Sequence, residues 1–472
     1  MDRVAVDDAR LDAYVRETAE RLGVPGVSVG VMHDGAEHYA HAGVTSIANP
    51  LPVDDETLFQ FGSTGKTFTG TAIMRLVEEG RIDLDAPVRN CVPELELVDG
   101  SVARRVTVLQ LLNHTSGWHG DMDDDTGEGD DALARFIERM REAPQTLPLG
   151  SAVSYSNSAL SVAGRVIEKV TGRPYERAIE DLLLRPLGLE HTFFFMNDIM
   201  TRRFAVGHNR LPDGTTTVTR PWAMPRGGNA SGGMSANARD QIAWARFHLG
   251  DGRAQDGAPL LREDTLRRMR EATAHCPGGA DGDACGITWW LRDVGGVRQV
   301  SHGGTMIGQH SAFVMVPERR FAVVSLTNCG PNGPQFNDAV VRWALEAYLG
   351  VVEDEPAPER RTPADLADYE GRYATHTSVS DVRVRDGGLE VSVTYRREAM
   401  PESLHEQLDA EEAQPPLPLG MLPGGDQYVV REGHGKGTRG FFRRDADGRV
   451  DALHLGGRVA PRVGPPDGGP SR

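Results

Sequence analysis

The chain has 472 residues, 39% of them hydrophobic, and a formal net charge of −17. This length favours two domains, the acidic charge argues against nucleic acid as a partner, and no apolar run is long enough to cross a membrane. The N-terminal segment is charged and lacks the apolar core of a signal peptide. We therefore expect a cytoplasmic protein with no membrane contact.

The chain has four cysteines, Cys91, Cys276, Cys285 and Cys329. None of them forms a Cys-x-x-Cys pair, so neither a zinc site nor a redox pair is indicated. In a reducing compartment we expect free thiols, whereas Cys276 and Cys285 could pair in an exported protein. We expect no metal and no cofactor.

The first elements of the chain follow from its hydrophobic periodicity. A helix is predicted over residues 7–22, a hairpin over 25–44 with its turn at Asp34-Gly35, and a helix over 63–79 that ends at Gly80. The later elements predicted from the same periodicity are helices over 158–170 and 236–249, strands over 311–316 and 321–327, and a helix over 336–349.

The composition and the hydrophobic pattern of the sequence change near residue 352. Residues 353–364 are rich in proline and charge, as linkers are. Residues 365–472 contain short alternating segments with turn signals at Asp386-Gly387-Gly388 and Asp447-Gly448. We therefore predict a catalytic domain over 1–352 and a small antiparallel β-barrel over 365–472. The acidic run over 121–131 is predicted to be a solvated loop, with a metal or lid role as the alternative.

Residues 61–70, FGSTGKTFTG, allow two chemistries. A phosphate-binding loop would need glycine at position 60, which is Gln60. The second chemistry pairs Ser63 with Lys66, because residues three apart share one face of a helix and the two side chains can meet. Gly26-Val27-Ser28-Val29-Gly30 resembles a nucleophile elbow, but Ser28 falls within an alternating strand and is expected to be structural.

Two further motifs supply partners for this serine. Tyr155 and Asn157 precede a predicted helix, where the phenol could relay a proton and the amide could hold Lys66. His302-Gly303-Gly304-Thr305 precedes the predicted strands, where paired glycines permit a second backbone to approach closely.

With these three motifs, the sequence resembles the serine penicillin-recognising enzymes, which include class C β-lactamases, D,D-carboxypeptidases, D-aminopeptidases and esterases. Ser63/Lys66 match Ser-x-x-Lys, Tyr155/Asn157 match Tyr-x-Asn, and His302-Gly303-Gly304 matches the third motif. The resemblance covers roughly residues 8–350. It implies an α/β (α+β) fold, in which an antiparallel sheet is flanked by helices and carries a helical subdomain. It also implies an oxyanion hole formed by the backbone N–H groups of Ser63 and Thr305.

The resemblance also narrows the reaction. Histidine at position 302, where lactamases usually have lysine, favours the peptidase and esterase branches. A core followed by a lipocalin-like barrel resembles the D-aminopeptidases and the stand-alone penicillin-binding-protein-type thioesterases. The latter cyclise nonribosomal peptides held on carrier proteins, usually at a D-residue. We therefore expect a cyclase acting on a carrier-bound peptidyl thioester, with a D-amino-acid-specific peptidase or esterase and a catalytically idle binding protein as the alternatives.

The expected cyclase uses Ser63 as nucleophile, Lys66 as base and Tyr155 as relay, with His302 assisting when the peptide's amine attacks. Trp118 and Trp222 are expected as walls of the cleft, with a plain core position as the alternative. The resemblance makes Arg458 the candidate for binding a substrate carbonyl or carboxylate, with a surface arginine as the alternative. A monomer is expected.

Overall fold

A computed structural model describes residues 8–122, 125–211, 213–222, 224–354, 357–385, 387–400, 415–433 and 435–466. Within these ranges the helices are, in chain order, α1 (Asp8–Leu22), α2 (Lys66–Glu78), α3 (Gly100–Arg105), α4 (Val108–Leu112), α5 (Ala132–Arg139), α6 (Asn157–Thr171), α7 (Tyr175–Ile179), α8 (Arg185–Leu187), α9 (Met196–Ile199), α10 (Asn229–Gly232), α11 (Ala238–Leu249), α12 (Glu263–Met269), α13 (Asn332–Ala344) and α14 (Pro363–Leu366).

The strands of the N-terminal part are β1 (Gly26–His33), β2 (Ala36–Gly43), β3 (Phe59–Gln60), β4 (Thr192–Phe193), β5 (His208–Arg210), β6 (Thr216–Val218), β7 (Ser235–Ala236), β8 (Ala274–His275), β9 (Ala284–Cys285), β10 (Trp290–Val294), β11 (Val297–Met306), β12 (Gln309–Val316), β13 (Phe321–Thr327) and β14 (Cys329–Gly330). The C-terminal strands are β15 (Gly371–Ala374), β16 (Ser378–Arg385), β17 (Gly388–Tyr395), β18 (Leu417–Met421), β19 (Gln427–Val430), β20 (Arg439–Arg444), β21 (Val450–Leu455) and β22 (Arg458–Gly464).

The central element of the N-terminal part is an antiparallel sheet of eight strands among the described residues, in the order β2-β1-β13-β12-β11-β10-β9-β8. An early and a late strand of the N-terminal part meet in this sheet, because β1 pairs with β13 through seven residues from Val27–Thr327 to His33–Phe321. The first and last parts of this domain therefore form one folding unit.

Helices cover both faces of this sheet. The side chains that alternate along β1, Val27, Val29 and Val31, pack with residues of α1 and α13 in one buried cluster. The opposite face packs against α2, α11 and the helical subdomain, and the largest core cluster lies there. Ser28 points to neither solvent nor a cleft: it is 4% exposed and pairs with Leu326 within the sheet, so the structural interpretation of this residue is confirmed.

Most elements predicted from periodicity are present. The hairpin turns at Asp34 and Gly35, both with positive φ, and Gly80 follows α2 with a φ of 70°. The helix predicted from Phe336 begins earlier, at Asn332, because Pro331 ends the preceding strand segment and starts the helix. The turn signal at Asp386 lies outside the described residues.

The C-terminal strands form a closed barrel, β15 through β22, in which each strand pairs with its sequence neighbours and β15 pairs with β22. Its interior is filled by a separate cluster that includes Tyr373, Tyr428 and Phe442. The barrel and the α/β (α+β) domain with its antiparallel sheet confirm the predicted fold class. None of the helices in the described part of the chain is both long and apolar enough to cross a membrane.

Candidate active site

Ser63 lies at the junction between the sheet and the helical subdomain. It sits in a 3₁₀ turn, Gly62–Gly65, that runs directly into α2. Gly62 has a φ of 53°, and a Cβ there would lie 2.8 Å from both the N and the O of Thr305 on β11. Only glycine tolerates this combination of a left-handed backbone and a neighbouring strand. The turn therefore holds Ser63 close to β11, the strand that carries the third motif.

Lys66 faces Ser63 one turn along the helix, as its spacing predicts. Its Nζ lies 3.0 Å from Oγ of Ser63, 2.7 Å from Oδ1 of Asn157 and 2.5 Å from the carbonyl oxygen of Ser231. A neutral amine has two N–H groups and one lone pair. The amide oxygen and the carbonyl oxygen can accept the two N–H groups, which leaves the lone pair facing the serine hydroxyl.

The surroundings of Lys66 favour this neutral form. The side chain is fully buried. Burial lowers its pKa well below the usual value, and the positive charge of Arg458 lowers the pKa further. A lowered pKa favours the neutral amine, whose lone pair can take the proton of the serine hydroxyl.

Tyr155 completes the group around the nucleophile. Burial raises the pKa of Tyr155 above its usual value, and the side chain of Ser63 offsets part of this rise. The Nζ of Lys66 lies 4.8 Å from the centre of the phenol ring. A phenol that stays protonated can donate to a departing group while Lys66 holds the proton taken from Ser63, so the arrangement suits a proton relay.

The third motif lies on β11, beside the nucleophile. A Cβ on Gly304 would lie 1.9 Å from the carbonyl oxygen of Phe61 and 2.8 Å from the backbone N of Ser63. The glycine therefore lets β11 approach the nucleophile turn at backbone distance. This places the amides of Ser63 and Thr305 on adjacent backbone segments, as the expected oxyanion hole requires. Gly303 is more open, since the nearest atom to its Cβ position is the carbonyl oxygen of Ser311 at 3.4 Å.

The imidazole of His302 is near the site but forms no hydrogen bond with Ser63 or Lys66. Its Nδ1–H donates to the carbonyl oxygen of Gly303 at 2.6 Å, so Nε2 carries the lone pair, and within the described residues Nε2 has no hydrogen-bond partner. Burial, followed by the charge of Lys66, lowers its pKa to about 3. Its ring centre lies 6.4 Å from that of Tyr155. The imidazole is therefore a neutral neighbour of the relay.

Two groups at the site were missed in the sequence. The acidic sequence around Asp121 predicts a solvated loop, but the carboxylate of Asp121 accepts a hydrogen bond of 2.8 Å from Nδ2 of Asn157 and pairs with Arg458. The expectation for that residue was wrong because its partners are distant in sequence. His114 packs its ring 4.6 Å from that of Tyr155, and its Nδ1 accepts from the backbone N–H of Ser156 at 3.2 Å. Asp123 and Asp124 of the same acidic run lie outside the described residues.

Arg458 reaches the site from the barrel. Nε and Nη2 donate to the two carboxylate oxygens of Asp121 at 3.1 and 2.8 Å, and Nη1 donates to the carbonyl oxygen of Gly456 at 3.1 Å. The guanidinium lies 4.7 Å from the centre of the Tyr155 ring. Arg458, the candidate taken from the family resemblance, therefore lies at the site, and two N–H groups of its guanidinium donate to Asp121.

A cleft of about 2180 Å³ opens beside the nucleophile. Asn157 and Thr305 line it on the catalytic side, and His376 and Met400 line it from the barrel. Trp222 lines this cleft, with its indole N–H donating to the carbonyl oxygen of Ala205 at 3.2 Å.

Trp118 does not line the cleft. It is 3% exposed and packed in the main core, and its indole N–H donates to Oγ of Ser158 at 3.0 Å. The expectation of a cleft wall was wrong for this residue, and the alternative of a core position is confirmed. The described residues contain no group of three or more His, Cys, Asp or Glu side chains that could hold a metal ion. The four cysteines are free.

A serine next to a buried lysine with a lowered pKa, a tyrosine with a raised pKa and two backbone amides defines a site for acyl transfer through an acyl-serine. A model of the beta-lactamase family matches residues 11–348. The chain is also 34% identical over 357 residues to penicillin-binding protein 4 of Amycolatopsis lactamdurans. The aligned residues cover 74% of this chain and 93% of the relative. The chain therefore belongs to the beta-lactamase family, and it is a serine hydrolase or acyltransferase of the fold shared with penicillin-binding proteins.

Solved structures extend the similarity to the barrel. The crystal structures of SurE and of SurE with D-Leu each superpose with a TM-score of 0.75 at 28% identity, covering 97% of this chain and 99% of that one. The D-amino acid amidase of Ochrobactrum anthropi SV3 superposes with a TM-score of 0.60 at 26% identity, covering 72% of this chain and 97% of that one. The SurE similarity thus covers nearly the whole chain, whereas the amidase similarity covers about three quarters of it.

Proposed function

We propose that this chain is a stand-alone thioesterase that takes a nonribosomal peptidyl thioester onto Ser63 and releases it by head-to-tail macrolactamisation, with the scissile acyl group on a D-residue. The observation that carries the proposal is the cleft of about 2180 Å³ beside Ser63. Pockets for drug-sized ligands measure roughly 300–1,000 Å³. The space therefore suits a folded-back peptide better than a single amino acid.

Acylation uses the neutral form of Lys66. Oγ of Ser63 attacks the thioester carbonyl while its proton passes to Nζ of Lys66, and the amides of Ser63 and Thr305 face the developing oxyanion. Collapse of the tetrahedral species breaks the carbon–sulfur bond. The departing thiolate takes a proton from the Tyr155 hydroxyl, which Lys66 reprotonates. The products are the free thiol and the acyl-serine.

Deacylation reverses these roles with a different nucleophile. The peptide's own amino terminus attacks the acyl-Ser63 carbonyl, and its excess proton passes through Tyr155 and Lys66 to the leaving Oγ of Ser63. Of the three side chains, Lys66 and Tyr155 are buried and only Ser63 is partly exposed. An amine that occupies the space in front of Ser63 displaces the water that would otherwise hydrolyse the ester.

Two similarities support the stereochemical part of the proposal. SurE, similar over 97% of this chain, was solved with D-Leu, and the D-amino acid amidase is 26% identical. The peptide is proposed to arrive on a carrier protein in the cytoplasm, and the enzyme is proposed to act as a monomer.

The test is a product analysis. Purified protein is given a carrier-free thioester of a linear peptide with a C-terminal D-residue, and the products are resolved by mass. The matched control substrate has the L-epimer at that residue, and the Ser63→Ala variant measures background hydrolysis. A macrocycle formed only from the D-epimer supports the proposal. Linear acid as the sole product would refute cyclisation, and a failure to detect any acyl adduct on Ser63 would refute acyl transfer from thioesters altogether.

A second candidate is a D-amino-acid-specific peptidase, amidase or esterase, favoured by the similarity to the D-amino acid amidase over 72% of this chain. It predicts turnover of D-amino acid amides and short D-terminated peptides with kcat/KM above that for the peptidyl thioester. A panel of matched D- and L-amides, assayed beside the thioester, separates the two candidates.

A further inference from the structure

The turn between β21 and β22 enters the catalytic site. The backbone N–H of Tyr155 donates to the carbonyl oxygen of Gly457 at 2.9 Å. Two residues later, the backbone N–H of Val459 donates to Oγ of Ser154 at 3.1 Å. Both partners in the catalytic domain belong to the segment that carries the second motif. The barrel is therefore hydrogen-bonded directly to the loop that positions the relay tyrosine.

Asp121 is the meeting point of two polar contacts. Its carboxylate accepts hydrogen bonds from Nε and Nη2 of Arg458 and a further one, of 2.8 Å, from Nδ2 of Asn157. An amide has a donating and an accepting end, and a carboxylate can only accept from it. The contact with Asp121 therefore fixes the NH₂ of Asn157 toward Asp121 and its Oδ1 toward Lys66, where the Nζ–Oδ1 distance is 2.7 Å.

We propose that Asp121 is a positioning residue that couples Arg458 of the barrel to Asn157 and Lys66, so that the acyl-transfer site reaches its working geometry only with the barrel turn in place. The pathway has three contacts: a bidentate ion pair, an amide–carboxylate hydrogen bond and an amide–amine hydrogen bond. The pathway acts in the acylation of Ser63. The proposed coupling therefore does not depend on whether water or an amine later attacks the acyl-enzyme.

The same contacts set the charge around the base. Lys66 and Arg458 flank one aromatic ring, at 4.8 and 4.7 Å from the centre of Tyr155, so a positive charge on both would be unfavourable. Asp121 offsets the arginine. The charged and titratable groups that act on Lys66, Asp121 and their neighbours here are Tyr155, His114, His119, His302, Arg458, Asp121 and Asp281.

The coupling makes the two partners act in opposite directions. Removing the arginine charge in Arg458→Gln raises the pKa of Lys66. The acidic limb of the pH–rate profile for acylation therefore moves to higher pH. Removing the carboxylate charge in Asp121→Asn leaves Arg458 uncompensated, so the limb moves to lower pH. We expect each shift to be about 0.5–1 pH unit, as for a single charge acting through a partly solvated region. A purely structural defect would not produce shifts of opposite sign.

The experiment uses the full chain and a single-turnover burst with an activated ester, which requires acylation of Ser63 but no peptidyl thioester. The matched control is Arg443→Gln, since Arg443 and Asp451 form a bidentate pair within the barrel, at 2.9 and 2.7 Å. Thermal unfolding is recorded for every variant. Arg458→Lys keeps the positive charge but not the two parallel N–H donors, so its acidic limb should match wild type. Its plateau rate should stay lower, by up to about 10²-fold, as for a misplaced catalytic group.

Opposite shifts for the two site variants, with an unshifted limb for Arg443→Gln, support the coupling. Unshifted limbs in both site variants, or shifts of the same sign, overturn it. A loss of plateau rate that follows the melting temperature and is equal for Arg458→Lys and Arg458→Gln also overturns it. If the ester test supports the coupling while the peptidyl thioester yields no adduct, the proposed cyclase function fails and the coupling stands.

Discussion

The contact between β11 and the nucleophile turn gives the sharpest test of the oxyanion site. In Gly304→Ala, the new methyl group would lie 1.9 Å from the carbonyl oxygen of Phe61, 2.7 Å from Oγ of Ser311 and 2.8 Å from the backbone N of Ser63. Restoring a contact of 3.0 Å to Phe61 requires a displacement of about 1.1 Å. Two of the three obstructing atoms are backbone, so a side-chain rotation cannot provide the space.

A displacement of this size separates the two amides, of Ser63 and Thr305, that we expect to face the oxyanion. Misplacing a catalytic group by about 1 Å can cost about 10²-fold, and losing one oxyanion donor costs roughly 10²–10³-fold in kcat. We therefore expect kcat for acylation to fall by about 10²–10³-fold in Gly304→Ala. KM should change much less, because the lost interaction belongs to the transition state.

The assay is the burst of product from an activated ester, with active sites counted by intact mass and folding checked by thermal unfolding. Gly303→Ala is the matched control, because its Cβ would meet only the carbonyl oxygen of Ser311 at 3.4 Å, an ordinary contact. We expect it to stay within a few-fold of wild type. A natively folded Gly304→Ala variant whose acylation rate is within about threefold of wild type would refute the geometric reasoning.

Three further predictions follow from single side chains. Because the pKa of Lys66 is lowered, the acylation rate should fall as the pH drops through that lowered value. Lys66→Arg, whose guanidinium cannot deprotonate, should lower the acylation rate by about 10²–10⁴-fold at every pH. A pH–rate profile of each protein checks both expectations. Trp118→Ala should lower the free energy of unfolding by about 3–5 kcal/mol while kcat per titrated active site stays near wild type, as measured by denaturant unfolding; a selective loss of activity would contradict its core position. Trp222→Ala should raise KM for a peptide substrate with a smaller loss of stability, and steady-state kinetics that leave KM unchanged would remove Trp222 from the binding surface.

The three motifs could be found from the sequence because each is local and each imposes its own geometry. The spacing of Ser63 and Lys66 places both on one helical face, and the structure brings their side chains to 3.0 Å. The closed barrel also followed from local signals, since alternating segments separated by turns predict antiparallel strands. Neither inference needed knowledge of a distant contact.

What the sequence could not supply is the set of contacts between distant segments. Asp121 lies in an acidic run that looks like a solvated loop, and its partner Arg458 is 337 residues away. The carbonyl oxygen of Ser231 that contacts Lys66 is a backbone group and leaves no signal in residue identity. Trp118 and Trp222 are chemically alike, and only their packing shows that one is core and the other lines the cleft.

The fate of the acyl-enzyme depends on the same distinction between local and distant structure. Lys66 and Tyr155 serve water and an amine equally well, because both nucleophiles need one proton removed and deliver it to the same Oγ. The partition between them is therefore set by what occupies the cleft in front of Ser63. A cleft of about 2180 Å³ holds many water molecules when empty, so its walls alone do not exclude water. Under the proposed function, the folded-back peptide must itself displace that water, which makes the length and shape of the acyl chain part of the catalytic apparatus.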